Sequence, residues 1–137
     1  MWWIFALLSA FFAALTAIFA KIGIKGVDTD LATAIRTIVI LILAWGIAYF
    51  RGSIGSIHTL TRQNLIFLVL SGLATGMSWI FYFKALQLGK VSQVAPVDKL
   101  SVAIAIVLSV IFLGEALTVK AAIGAVLIII GTFVLIL

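Results

Sequence analysis

Polar residues punctuate this chain instead of alternating with apolar ones. Long apolar runs are interrupted near 25–30, 51–62, 84–91 and 114–117 by short clusters of charged, glycine and hydroxyl residues. A helix needs about 20 consecutive apolar residues to cross the hydrocarbon core of a bilayer. Five segments of that kind, at about 2–24, 31–50, 64–84, 92–113 and 118–137, nearly exhaust the 137 residues. The pattern therefore predicts an all-α membrane protein of five transmembrane helices and a single domain.

The punctuation predicts how the spans begin and end. Trp2 and Trp3 anchor the first span at an interface, and Lys21 in its last turn is placed to snorkel outward. Asp30 is expected to cap the second span, which carries Arg36 five or six residues inside and Trp45 and Tyr49 near its far end. The stretch 51–62 is rich in Gly and Ser and reads as a turn-prone loop holding the single His58. Pro96 is expected in the first turn of the fourth span, where a missing N–H is tolerated. Gly114 should end that span, and Thr118 should cap the fifth.

Inside the spans two kinds of stripe stand out. Ser71, Thr75, Ser78 and Tyr82 recur at spacings of four, three and four, which places them on one face of the third helix beside Trp79. Asp98, Ser101, Ala105 and Ser109 share a face of the fourth, while Lys99 points about 100° away from Asp98 on a regular helix and is not ideally paired with it. The glycines form smooth faces. Gly72 and Gly76 make a GxxxG motif, and Gly124 and Gly131 lie seven apart on the last helix; both patterns suit close packing against a partner helix.

Composition agrees. The chain is 66% hydrophobic and only 9% charged, with a mean hydropathy of +1.42; soluble domains carry about 25% charged residues. Absent cysteine excludes disulfide and thiol chemistry. The net charge of +5 comes without a basic stripe interleaved with aromatics, so no nucleic-acid partner is expected. No HExxH, GxSxG, phosphate loop or acidic metal cluster is present, so neither enzyme chemistry nor a metal or other cofactor is expected. The start of the chain lacks a basic region before its apolar run, and a cleaved signal peptide is not expected.

Charge sidedness bears on topology. With five spans, Lys21, Lys25, Arg36, Lys84, Lys90 and Lys99 fall on one side against Asp28, Asp30 and Asp98, a net of +3. Arg51, Arg62 and Lys120 fall on the other against Glu115, a net of +2. Once Lys21, Arg36 and Lys99 are set aside as lying within spans, the cations of the connections balance. Orientation is set by such residues, so the balance predicts dual topology, copies inserting both ways and pairing antiparallel.

Four segments, in this order and at these spacings, carry a resemblance over essentially the whole chain: Arg36 within DLATAIRTIVILIL, YFKALQLG from Tyr82 to Gly89, Ala95 with Pro96, and LGEALT from Leu113 to Thr118 before the glycine-spaced last helix. They resemble the EamA-like domain of the drug/metabolite transporter superfamily. The resemblance implies a transporter of small metabolites or drugs in a prokaryotic inner membrane, built as ten helices from two inverted five-helix repeats. This chain has one repeat and looks like the short, single-domain bacterial and archaeal branch, which is expected to dimerise. Where the family often has small residues and a second proline, Asp98, Lys99 and Val102 stand here, so a straighter and more charged helix is expected.

The function expected on these grounds is secondary transport, with export as the direction, by an antiparallel homodimer in the lipid bilayer. Arg36, Ser71, Thr75, Ser78, Trp79, Tyr82, Asp98, Lys99 and Ser101 are the candidate substrate-binding or gating residues; Gly72, Gly76, Gly124 and Gly131 are the packing positions. An ionisable group inside a span is a functional-site hypothesis by default, and its alternative is an ion pair that orders the bundle. The competing class is a non-transporting membrane assembly or lipid-binding subunit, and a third possibility is a half-transporter that needs a different second half.

Overall fold

In the computed structural model, which describes residues 1–137, every regular element is a helix. The helices are α1 (Trp2–Gly23), α2 (Thr29–Phe50), α3 (Arg62–Leu88), α4 (Val91–Asp98), α5 (Leu100–Leu113) and α6 (Val119–Ile136), with a 3₁₀ helix at Ser53–Thr59. Five spans are long and apolar enough to cross a membrane, α4 and α5 together forming the fourth, Val91–Leu113. Fifty-five large apolar side chains are more than a third exposed. Burying each such side chain away from water is worth about 1.5–3 kcal/mol, and the fold leaves that gain to its surroundings. The surface is made for lipid.

Most helix boundaries follow from local chemistry. Thr118 accepts a hydrogen bond from Ala121 N at 3.1 Å and caps α6 as expected. Gly114 stops α5 in the left-handed conformation, at φ 68°, while the Glu115 N–H reaches back to Ser109 O at 3.3 Å. The second span starts earlier than expected. Its N-cap is Asp28, not Asp30: Asp28 Oδ1 accepts from Asp30 N at 3.0 Å and Leu31 N at 3.1 Å. Gly26, at φ 70°, turns the chain so that Asp28 reaches that position. The expected loop at 51–62 is largely the 3₁₀ helix, which packs back on α2 and leaves His58 exposed. The third helix runs on to Leu88 instead of ending near 84.

The fourth span departs most. Val91 is its first residue, so Pro96 lies inside α4 and past the first turn. There it leaves the Ser92 carbonyl without its helical donor. The span is not straightened by the absence of a second proline; it breaks at Lys99 (φ −70°, ψ −9°), where the ladder tightens to three-residue spacing. Lys99 N bonds Pro96 O at 3.1 Å and Val102 N bonds Lys99 O at 3.0 Å.

Close backbone contacts divide the chain into two units, Met1–Phe19 with Leu88–Leu137, and Ala20–Gln87. In the first, α6 packs on α4 and α5, and Ala103 and Thr132 are buried. The Thr132 hydroxyl lies 2.8 Å from Ile128 O in its own helix and 3.1 Å from Pro96 O across the contact. Its one proton serves either carbonyl, and Pro96 O is one that the break leaves short of α-helical partners. In the second unit the buried set is Ala20, Ile24, Thr29, Thr33, Phe83 and Leu86. These gather where α1 ends, α2 begins and α3 ends.

Candidate functional site

The second unit is tied together at that end by long side chains more than by close backbone approach. Lys21, in the last turn of α1, does not snorkel away; its ammonium donates to Leu86 O in the last turn of α3. The final carbonyls of a helix lack intrahelical donors and carry partial negative charge, so a lysine there satisfies both. Gln87 Nε2 donates to Val27 O at 3.1 Å and holds the turn between α1 and α2 against α3. The buried Thr33 hydroxyl is satisfied within α2, donating to Thr29 O at 2.8 Å.

Arg36 reaches from α2 to α3 one step deeper. Because Asp28 moves the helix start to Thr29, Arg36 is the eighth residue of α2, about 10 Å along the axis from its first residue. The guanidinium carbon sits 4.6 Å from the centroid of the Trp79 ring and 4.7 Å from that of Phe83. Trp79 and Phe83 are four apart on α3 and so share a face. Phe83 is fully buried, which fixes one half of this aromatic shelf. Tyr82 lies close enough to interact electrostatically with the guanidinium. Phe83 stands in an aromatic-rich stretch with Trp79, Phe81 and Tyr82, and nothing in the sequence singles it out as a seat for Arg36.

Asp98 and Lys99 form a different arrangement in the first unit. Lys99 Nζ lies 3.5 Å from Asp98 Oδ2. The two do pair, although a regular helix sets neighbouring residues about 100° apart; they stand where the helix tightens at Lys99. The pair is open to the surroundings, with the Asp98 side chain 37% and the Lys99 side chain 58% exposed.

The hydroxyl stripes divide as well. Thr75 donates to Ser71 O at 2.9 Å and Ser109 to Ile106 O at 2.9 Å, each a bond back to its own helix. Ser71, Thr75, Ser78 and Ser101 are all exposed. A Cβ added at Gly72, Gly76, Gly124 or Gly131 would meet nothing within 4 Å, so none of these smooth faces is filled by a neighbouring helix of the same chain. One open apolar recess of about 230 Å³ lies where the 3₁₀ helix meets α2, lined by Ala44, Trp45, Ala48, Ser53, Ile54 and Ile57. It contains none of the candidate residues. Two participants escaped the sequence reading: Gln87 has no periodic signal, and Thr132 reads as an ordinary hydroxyl in an apolar helix.

Comparison with known proteins adds a whole-chain match. The model of the EamA-like transporter family matches residues 1–137. A Sinorhizobium protein described as an uncharacterized transporter in the cobO 3'region is 46% identical over 134 residues, covering 98% of this chain and 95% of that protein. An uncharacterized protein of Methanocaldococcus jannaschii is 36% identical over 74 residues, about half of each chain. No solved structure matches.

Proposed function

The chain belongs to the EamA-like transporter family, and we propose that it is a secondary transporter of small metabolites or drugs. Two copies, inserted antiparallel in a prokaryotic inner membrane, form one alternating-access unit that works in the direction of export. The observation that carries this reading is the outward polar and small-residue surface of a chain with only five spans. Hydroxyls and glycines facing acyl chains gain nothing there, since lipid offers them neither hydrogen bonds nor close packing. A second copy supplies both. Ser71, Ser78 and Ser101 then line a shared cavity, and the glycines admit the partner's helices.

In this reading Asp98 and Lys99 act as a gate at the break in the fourth span. An exposed pair of this kind is held by at most about 1 kcal/mol, weak enough to open and close within a transport cycle. The two-fold pairing places one such gate toward each side of the membrane.

The test is uptake into proteoliposomes across a panel of metabolites and drugs, with and without a pH gradient. Saturable flux from the purified single chain supports the homodimer; flux that appears only on adding a second, different five-span protein points to a heterodimer. Flux that is absent under every condition overturns transport. Because the chain has no cysteine, a single reporter cysteine near either terminus reads topology directly. Labelling from both sides of the membrane is expected, and labelling from one side alone removes the antiparallel arrangement.

A further inference from the structure

We propose that Arg36, on its shelf of Trp79 and Phe83, is an oxyanion-binding site that takes the carboxylate or phosphate group of an amphiphilic ligand. The rings attract the guanidinium but do not neutralise it. A cation over an aromatic face recovers only part of what an arginine inside a span costs. The remainder calls for a counter-charge, and the unit does not provide one. Within Ala20–Gln87 six cations face two carboxylates. Asp28 is engaged as the cap of α2. Asp30 lies six residues before Arg36, which on a helix turns it well away from the guanidinium.

The geometry leaves the right part of the guanidinium open. Its ring contacts are with the faces of Trp79 and Phe83, Tyr82 interacts with it electrostatically, and no carboxylate forms an ion pair with it. Its N–H donors lie in the guanidinium plane as a fork that matches a carboxylate or phosphate at two points. Trp79, which is partly exposed, flanks the same position and offers ring surface to the apolar body of the ligand, while the buried Phe83 holds the guanidinium in place. A ligand cation meets the opposite: like charge from Arg36 and no acid nearby, a repulsion that selects against it. The site therefore discriminates by charge sign, for anions and against cationic drugs.

An oxyanion of this description can be a soluble organic anion or the headgroup of an anionic lipid. As a substrate site the inference rests on the transport reading above; as a binding site it stands apart from it. The experiment is ligand-induced thermal stabilisation of the full chain in neutral detergent, using phenylphosphonate, 4-phenylbutyrate and the cation phenyltrimethylammonium. Both anions are expected to stabilise the wild type saturably and the cation to have no effect. Arg36→Gln should abolish the shift, and Arg36→Lys, which keeps charge and loses the fork, should weaken binding at least tenfold. Trp79→Leu, which leaves Arg36 in place, should weaken it several-fold and guards against a folding defect in the arginine variants.

Repeating the titration in nanodiscs of phosphatidylcholine, with and without phosphatidylglycerol, separates the sources. Loss of the anions' binding to the wild type when phosphatidylglycerol is present assigns the site to a headgroup; binding unchanged by that lipid assigns it to a soluble anion. Stabilisation by the cation, no stabilisation of the wild type by either anion, or anion binding unchanged in Arg36→Gln overturns the proposal. Anion binding without flux of any anion leaves the site and removes its role in transport, whereas flux of cations without anion binding does the reverse.

Discussion

Two charged positions, each the eighth residue of its span, are handled in opposite ways. Arg36 belongs to an unbroken helix and is seated on two rings of another, one of them fully buried. Asp98 sits at the end of a helix that breaks, beside a lysine that already neutralises it. The first arrangement keeps a net charge in a rigid setting; the second cancels charge where the backbone is weakest. A held, unneutralised charge suits recognition of an opposite charge, and a self-neutralised pair at a break suits movement.

The sharpest way to test this contrast is to remove the rigid half. Phe83→Ala deletes a fully buried ring, and large-to-small changes of this kind lose about 3–5 kcal/mol in well-packed cores. Denaturant unfolding in detergent micelles should show a loss in that range, together with weaker binding of phenylphosphonate. A loss below about 1 kcal/mol would mean that the shelf is not rigid.

In the other unit the expected effects are smaller. Thr132→Val removes the hydroxyl that reaches Pro96 O, and polar contacts between membrane helices average about 0.6 kcal/mol with a maximum near 1.7. The same unfolding experiment should read a loss within that span. Pro96→Ala restores the missing N–H and should rejoin α4 and α5 into a straight helix, seen as a longer spin-label distance between positions near Val91 and Leu113, with reduced flux if the break moves during transport.

Asp98→Asn should be smaller again in stability, within about 1 kcal/mol, because the pair is open and weakly held. A fall in flux with stability intact is the signature of a gate; flux unchanged in both Asp98→Asn and Lys99→Met leaves the pair structural. Thr75→Val marks the floor. Its hydroxyl bonds its own helix, and a change within about 0.5 kcal/mol is expected, as for substitutions away from special features.

The legible parts of this protein are those that one stretch of chain decides alone. The five spans, the stop at Gly114 and the cap at Thr118 follow from apolar run length, a glycine that tolerates positive φ and a hydroxyl at the right offset. Where two local solutions competed, the sequence was less decisive: Asp28 and Asp30 can each cap a helix, and the turn at Gly26 selects the first. Pro96 announced a disturbance, but the break falls three residues later, where the backbone tightens at Lys99.

What only the tertiary structure decided is which side chains answer which helix ends and charges. Lys21 meets Leu86 O, Gln87 meets Val27 O, and Thr132 meets Pro96 O, between residues 36 to 65 positions apart. Arg36 finds its rings on a helix more than forty residues away. Hydropathy carries no signal for such pairings, because in lipid every apolar face of a helix is equally acceptable. The spans were written in composition; the setting of Arg36 depended on which face of α3 the fold turned toward it.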